Sequence, residues 1–181
     1  GFNFTRAPGS IYRICITGGT YIDEATGATL TNTLTLCSLV DAAKAGKARI
    51  TVSPITNFID NFTVANLKLP GAAPLGMELG KAAEAIKTFF ALIGDPTLTD
   101  PLPTAPNADQ DPNGDRYKLA LFLGAYSKQG DNYLVGCGNN VAAERHALLQ
   151  ALFEDIKDGV FDGKLNGTRL TAKCNNVDTP V

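Results

Sequence analysis

The residues best spaced for chemistry run from Asp109 to Asp115 (DQDPNGD). Asp109, Asp111 and Asn113 place side-chain oxygens at alternate positions, Gly114 follows, and Asp115 opens a helix-like stretch. Hard oxygen donors in that spacing, with a glycine for the sharp turn, are how calcium loops begin. Pro112 stiffens the segment, and Ala120 stands where the bidentate Glu of a full EF-hand belongs. A complete EF-hand is therefore excluded, and a calcium site here needs a ligand from elsewhere in the chain. The competing reading is an acidic loop whose Asp115 sits near the positive end of the following helix.

A second acidic group, Asp155, Asp158 and Asp162 with Gly159 and Gly163, reads as a helix terminus followed by tight turns. Nucleophilic catalysis has little to work with. The chain has a single histidine, His146, placed within a helical stretch as a surface or half-buried residue, and no G-x-S-x-G elbow. Glu24, Glu78, Glu84, Glu144 and Glu154 read as exposed turn or helix positions rather than a carboxylate pair in a cleft. Gly18-Gly19 is not followed by the helix of a phosphate-binding loop. The expectation is a non-enzymatic protein with no cofactor beyond calcium to consider.

The four cysteines, Cys15, Cys37, Cys137 and Cys174, form no C-x-x-C pair. Zinc-ribbon and thioredoxin-type chemistry are therefore disfavoured. An even count at wide spacing points to two disulfides, as expected of an oxidising compartment. The preferred pairing is Cys15 with Cys37, across neighbouring strands, and Cys137 with Cys174, tying the tail to the loop before the last helix.

These residues have to be positioned by the following elements. Gly1–Ser10 is polar with Phe2 and Phe4 in alternation, and reads as an extended arm suited to self-association. Ile11–Thr17 has strand composition, and Asp23–Gly27 is a turn. Thr29–Leu39 alternates Thr with Leu as one half-buried strand, with Leu34 and Leu36 facing in and Thr33, Thr35 and Cys37 facing out. Lys47–Val52 would be a third strand. The period then changes. Ser53-Pro54 is an N-cap followed by proline at the first helical position. Helices follow up to Pro70, over Met77–Ile93 with Phe89 and Ile93 on the apolar face, over Arg116–Lys128, and over Val141–Lys157. The Arg116–Lys128 helix is apolar on most sides and so expected to be central. Residues 169–174 return as a short strand.

The fold class expected is α+β: a small N-terminal antiparallel sheet, a partial sandwich, followed by a packed four-helix region. The parts are an arm over 1–10, a β unit over 11–52 and a helical region over 53–181, the last forming one compact unit with the β part. A net charge of -2, with no run of three basic residues, excludes nucleic acid as an obvious partner. No segment approaches the roughly 20 apolar residues that span a bilayer.

The run ITGGTYIDEATGATLTNTLTLCSL, followed by ITVSPITNFID, resembles a segment of large secreted proteins and lipoproteins of Gram-negative bacteria. In these an immunoglobulin-like or carboxypeptidase-regulatory-like β unit leads through a V-[ST]-P-[IL]-T junction, here Val52 to Thr56, into a helical region. RYKLALFLGAYS and FEDIKDGVFDGKLNG are similar to that helical half. The similarity spans residues 11–167, and the four cysteines and the N-terminal arm depart from it. The resemblance implies surface exposure and assigns no catalytic residue. Two readings follow. The chain is either a structural, self-associating component of an extracellular filament, fimbria-like fibre or adhesin stalk, meeting copies of itself or other surface proteins, or a monomeric, calcium-stabilised binding module on the cell surface.

Overall fold

The computed structural model describes residues 9–23, 26–45, 50–99, 114–133, 141–158, 160, 162–174 and 177–180. Strand β1 (Ile11–Thr17) is rich in β-branched residues and pairs antiparallel with β4 (Thr35–Asp41), from Ile11↔Asp41 to Thr17↔Thr35. Toward the turn, β2 (Thr20–Ile22) pairs with β3 (Thr29–Thr31). The two ladders are successive parts of one chain reversal, whose turn holds Gly27 at φ 70°.

Between the ladders, Gly18 and Gly19 on the outgoing side face Asn32, Thr33 and Leu34 on the return, so the register shifts by one residue. Both glycines take positive φ, 73° and 81°, where a side chain would be strained. Asn32 secures the break. Its backbone N–H donates to the Gly19 carbonyl at 2.9 Å, and its side-chain amide bridges the N–H and C=O of Leu34. The single strand expected over Thr29–Leu39 is therefore two. An asparagine that hydrogen-bonds the nearby backbone competes with the ladder at this point. Nor does β4 follow the expected alternation, because Cys37, Ser38, Leu39 and Val40 are all buried. The third strand expected over Lys47–Val52 is also corrected. Residues 50–52 belong to no strand, and residues 46–49 lie outside the described set.

After a short helical turn, α1 (Ala42–Ala45), the chain enters four longer helices, giving the α+β class expected. Helix α2 (Pro54–Asn66) starts as its sequence requires. Ser53 is its extended N-cap, the Ser53 hydroxyl accepts from Thr56 N–H, and Thr56 Oγ1 accepts from Ser53 N–H, completing a capping box. Ile55, Phe58 and Ile59 then point into the main core and are 1% exposed or less.

Helix α3 (Leu75–Phe89) lies on α2, burying Leu79, Ala82 and Ile86. It ends earlier than expected: Phe90 is the C-cap and Ala91 takes φ 49°. Ile93, expected on the apolar face, therefore lies beyond the helix and is 78% exposed; Phe89, expected on the same face, is the last helical residue and is 58% exposed. Glu78, expected to be exposed, is buried. Its carboxylate accepts from Lys81 Nζ at 2.8 Å and from Ala73 N–H at 2.9 Å, which hold its pKa below the ordinary value.

Helix α4 (Asp115–Tyr133) packs against α5 (Val141–Asp155), which ends in a 3-10 turn over Ile156–Asp158. Leu119 of α4 is fully buried but Leu121 is 55% exposed, so α4 is a one-sided helix rather than a central one. Two short hairpins close the chain. Strands β5 (Lys164–Leu165) and β6 (Thr168–Arg169) flank Asn166 and Gly167, both at positive φ. That conformation is the one a two-residue Asn-Gly turn favours. Strands β7 (Thr171–Cys174) and β8 (Val177–Pro180) pair behind them.

One core joins Leu39 of the hairpin to Phe58, Ile86, Leu119, Phe153 and Ile156 of the helices. A smaller one gathers Tyr126, Leu148, Ala151 and Ala172. No helix among the described residues is long and apolar enough to cross a membrane.

Candidate functional site

The hairpin presents two features with functional content, an unevenly finished pair of edges and a cavity beneath its distal part. The edges follow from how the ladder is phased. Cys15 and Cys37 face each other and are joined by a disulfide, with their Cα atoms 4.1 Å apart. Cys37 N–H donates to Asn57 Oδ1 at 2.7 Å, and the Cys37 carbonyl oxygen lies 3.4 Å from Thr56 Oγ1. Both backbone groups of Cys37 therefore point away from β1, which makes Cys15↔Cys37 a narrow, non-hydrogen-bonded pair. Side chains from the start of α2 thus occupy the outer edge of β4 at this point.

The same phase applies along β1. Ile11, Arg13, Cys15 and Thr17 direct their N–H and C=O groups away from β4, toward the outer edge of the hairpin. Ser10 fits the pattern, its carbonyl accepting from Ala42 N–H at 3.0 Å. Among the described residues no backbone partner meets that outer row. A charged side chain commonly guards such an edge. Arg13 is instead drawn onto α2, its Nε and Nη2 donating to the two carboxylate oxygens of fully buried Asp60 at 2.8 and 2.7 Å. The bidentate contact raises the Arg13 pKa above its ordinary value.

The cavity, of about 400 Å³, lies between the distal hairpin and helices α4 and α5. Leu34 and Leu36 from the hairpin and Leu123 and Leu149 from the helices supply apolar wall, while Ile16 and Ile22 stand partly in solvent. Polar groups join hairpin to helices around it. Ser127 Oγ donates to Asp23 Oδ1, whose other oxygen accepts from Thr26 N–H at 2.8 Å and Thr26 Oγ1 at 2.5 Å. Thr33 Oγ1 lies 2.5 Å from His146 Nδ1, and the His146 ring is stacked obliquely on Tyr21 at 5.9 Å. His146, read from sequence as a surface or half-buried position, is only 5% exposed. Burial lowers its pKa, so it is neutral at pH 7. The Tyr126 hydroxyl is buried without a hydrogen-bond partner among the described residues, and burial raises its pKa.

This arrangement brings polar residues together, but its pairings are serine with carboxylate and threonine with imidazole. Ser127 and Thr26 divide the Asp23 carboxylate between them, Ser127 on Oδ1 and Thr26 on Oδ2.

No family model, curated protein or solved structure matches the chain.

The other residues singled out from sequence fall as follows. The Cys15–Cys37 bond is present. Cys137 lies outside the described residues, as does the side chain of Cys174, whose backbone pairs with Val177 in the β7–β8 hairpin. Phe2, Phe4, Asp109, Asp111 and Asn113 also lie outside them. Asp115 heads α4 and accepts from the N–H groups of Ile93 and Gly94, linking the ends of the segment between α3 and α4. Burial opposes its charged form, but those hydrogen bonds and nearby Lys118 and Lys87 outweigh burial and lower its pKa. Among the described residues no three His, Cys, Asp or Glu side chains are grouped to hold a metal ion.

The Asp155 cluster is a loop device. Asp155 Oδ1 accepts from the N–H groups of Asp162, Gly163 and Lys164, and Asp158 Oδ2 accepts from Asn166 N–H at 2.7 Å. Burial raises the Asp155 pKa despite those donors. Sequence reasoning missed Asp23, Ser127, Tyr126 and His146 as neighbours. They come from three distant segments, and no local spacing marks them.

Proposed function

We propose that the chain is an exported, non-enzymatic structural protein of the cell surface, associating with copies of itself or with other surface proteins by strand addition along the outer edge of β1. The observation that carries this reading is the inequality of the hairpin's two edges. The β4 edge is engaged by Asn57 and Thr56, while the β1 edge turns a row of backbone donors and acceptors outward with no partner among the described residues. An unpaired row of that kind is a template for an added strand, since main-chain hydrogen bonds need no special side chains. The Phe-alternating segment over 1–10 has the composition of a donor strand. The Cys15–Cys37 disulfide favours an oxidising compartment and holds the receiving ladder in register.

Light scattering on the full chain, a variant lacking residues 1–10, and Thr17→Pro tests the reading. Thr17 N–H points outward, so proline there removes an edge donor while leaving the β1–β4 ladder bonds in place. The expected result is an oligomer or polymer for the full chain and a monomer for both variants. A full chain that stays at its monomer mass of 19.1 kDa at high concentration overturns it.

A further inference from the structure

We propose that the cavity under the distal hairpin is a binding site for a neutral, largely apolar small molecule carrying one hydroxyl or carbonyl group. This does not depend on the β1 edge: the backbone groups of Ile16, the one β1 residue that lines the cavity, point inward to Leu36. A volume of about 400 Å³ is within the range of pockets that enclose small organic ligands.

The walls decide the ligand's character. Leu34, Leu36, Leu123 and Leu149 offer apolar surface. No Lys or Arg is among the described residues that line the space, and an anion would meet the Asp23 carboxylate. A cation fares little better, because the Asp23 oxygens already accept from Thr26 and Ser127. One polar group remains. His146 uses Nδ1 toward Thr33, while Nε2 has no partner among the described residues. The Tyr126 hydroxyl is sealed by its neighbours and does not reach the space. An apolar body with one hydrogen-bonding group would cover the leucines and engage Nε2 of His146. The mouth suits entry, with Ile22 62% and Ile16 44% exposed at its rim.

The test is a fluorescence titration of the full chain with the neutral probe N-phenyl-1-naphthylamine. Saturable binding at one site per chain is expected, with displacement by 1-naphthol at roughly ten-fold lower concentration than by naphthalene, about 1.4 kcal/mol for one hydrogen bond. Ile16→Trp, which narrows the mouth, should weaken probe binding at least ten-fold. Ile22→Glu, at a more exposed rim position and compatible with folding, should do the same and decides the matter if the tryptophan variant does not fold. Ile93→Ser, the control at an exposed apolar residue elsewhere, should bind the probe as the unaltered chain does. His146→Leu should abolish the preference for naphthol. Non-saturable binding, or equal loss in Ile93→Ser and Ile22→Glu, overturns the site. Equal displacement by naphthol and naphthalene in the unaltered chain overturns the assigned ligand class.

Discussion

Where β1 and β4 meet α2, side chains tie the elements together, Arg13 with Asp60, Cys37 with Asn57 and Thr56, and Ser53 with Thr56, with a disulfide across the ladder, although the Ser38 hydroxyl of β4 is buried without a partner among the described residues. Where β2 and β3 reach α4 and α5, two side-chain pairs bridge a cavity, and the Tyr126 hydroxyl is likewise buried without a partner among the described residues. The proximal half is built as an anchor, with dense packing and a covalent tie. The distal half spans a gap. The difference shows that one hairpin can be rigidly placed at its base while its far end keeps open volume, provided a break such as Gly18-Gly19 separates the two.

Substitutions in the two halves should therefore differ in size. The largest effect is expected for Phe58→Ala at the base, since Phe58 packs edge-on against Phe153 with ring centroids 4.9 Å apart and is almost fully buried. A loss of about 4 kcal/mol in urea unfolding is expected; a loss under about 1 kcal/mol would mean that the anchor is not the stable half. Replacing Cys15 and Cys37 together by alanine opens a 22-residue closure and should cost about 3 kcal/mol, read from the denaturation midpoint.

At the distal end, Ser127→Ala removes one of the donors to buried Asp23 and should cost only about 1–2 kcal/mol, because Thr26 continues to donate. A loss as large as that of Phe58→Ala would erase the distinction between the halves.

The smallest and most specific effect is a pH slope. His146 has its folded pKa below its unfolded value, so the unfolded chain binds more protons below about pH 6.5. Stability is then fully present above that value and declines as pH falls, by no more than about 1.4 kcal/mol per pH unit for one proton. Asp155, whose folded pKa is raised, acts with the opposite sign and in the carboxylate range, as pH rises above its unfolded value. Melting temperatures between pH 7 and pH 5 should fall in the unaltered chain and be flatter in His146→Gln. Identical curves would remove the buried, neutral histidine from the description of the distal half.

Much of the anchor was legible in the sequence. Ser53-Pro54 marks a helix start by local chemistry alone, and Cys15 and Cys37 sit in segments whose composition pairs them. The distal half was not legible, for identifiable reasons. Asn32 sits inside a Thr/Leu alternation that reads as one strand, and only its side-chain bonds to Leu34 reveal the break. Asp23 reads as an ordinary turn residue and Ser127 as an ordinary helix position, because their contact closes a separation of 104 residues. Helix α3 stops short of the expected end because Ala91 adopts a left-handed conformation that alanine composition does not advertise. Asn166-Gly167, by contrast, carried a usable hairpin signal of the two-residue type.

The engagement of Cys37 by Asn57 and Thr56 has a consequence for growth. A sheet open on both sides can lengthen by stacking identical strands indefinitely, the route to cross-β ribbons. With one side occupied, a strand can arrive from one direction only. A contact between a segment of one molecule and the β1 side of the next is then heterologous, and such contacts produce rings or polar fibres with unlike ends. If strands are added at β1, the start of α2 would limit growth to that side.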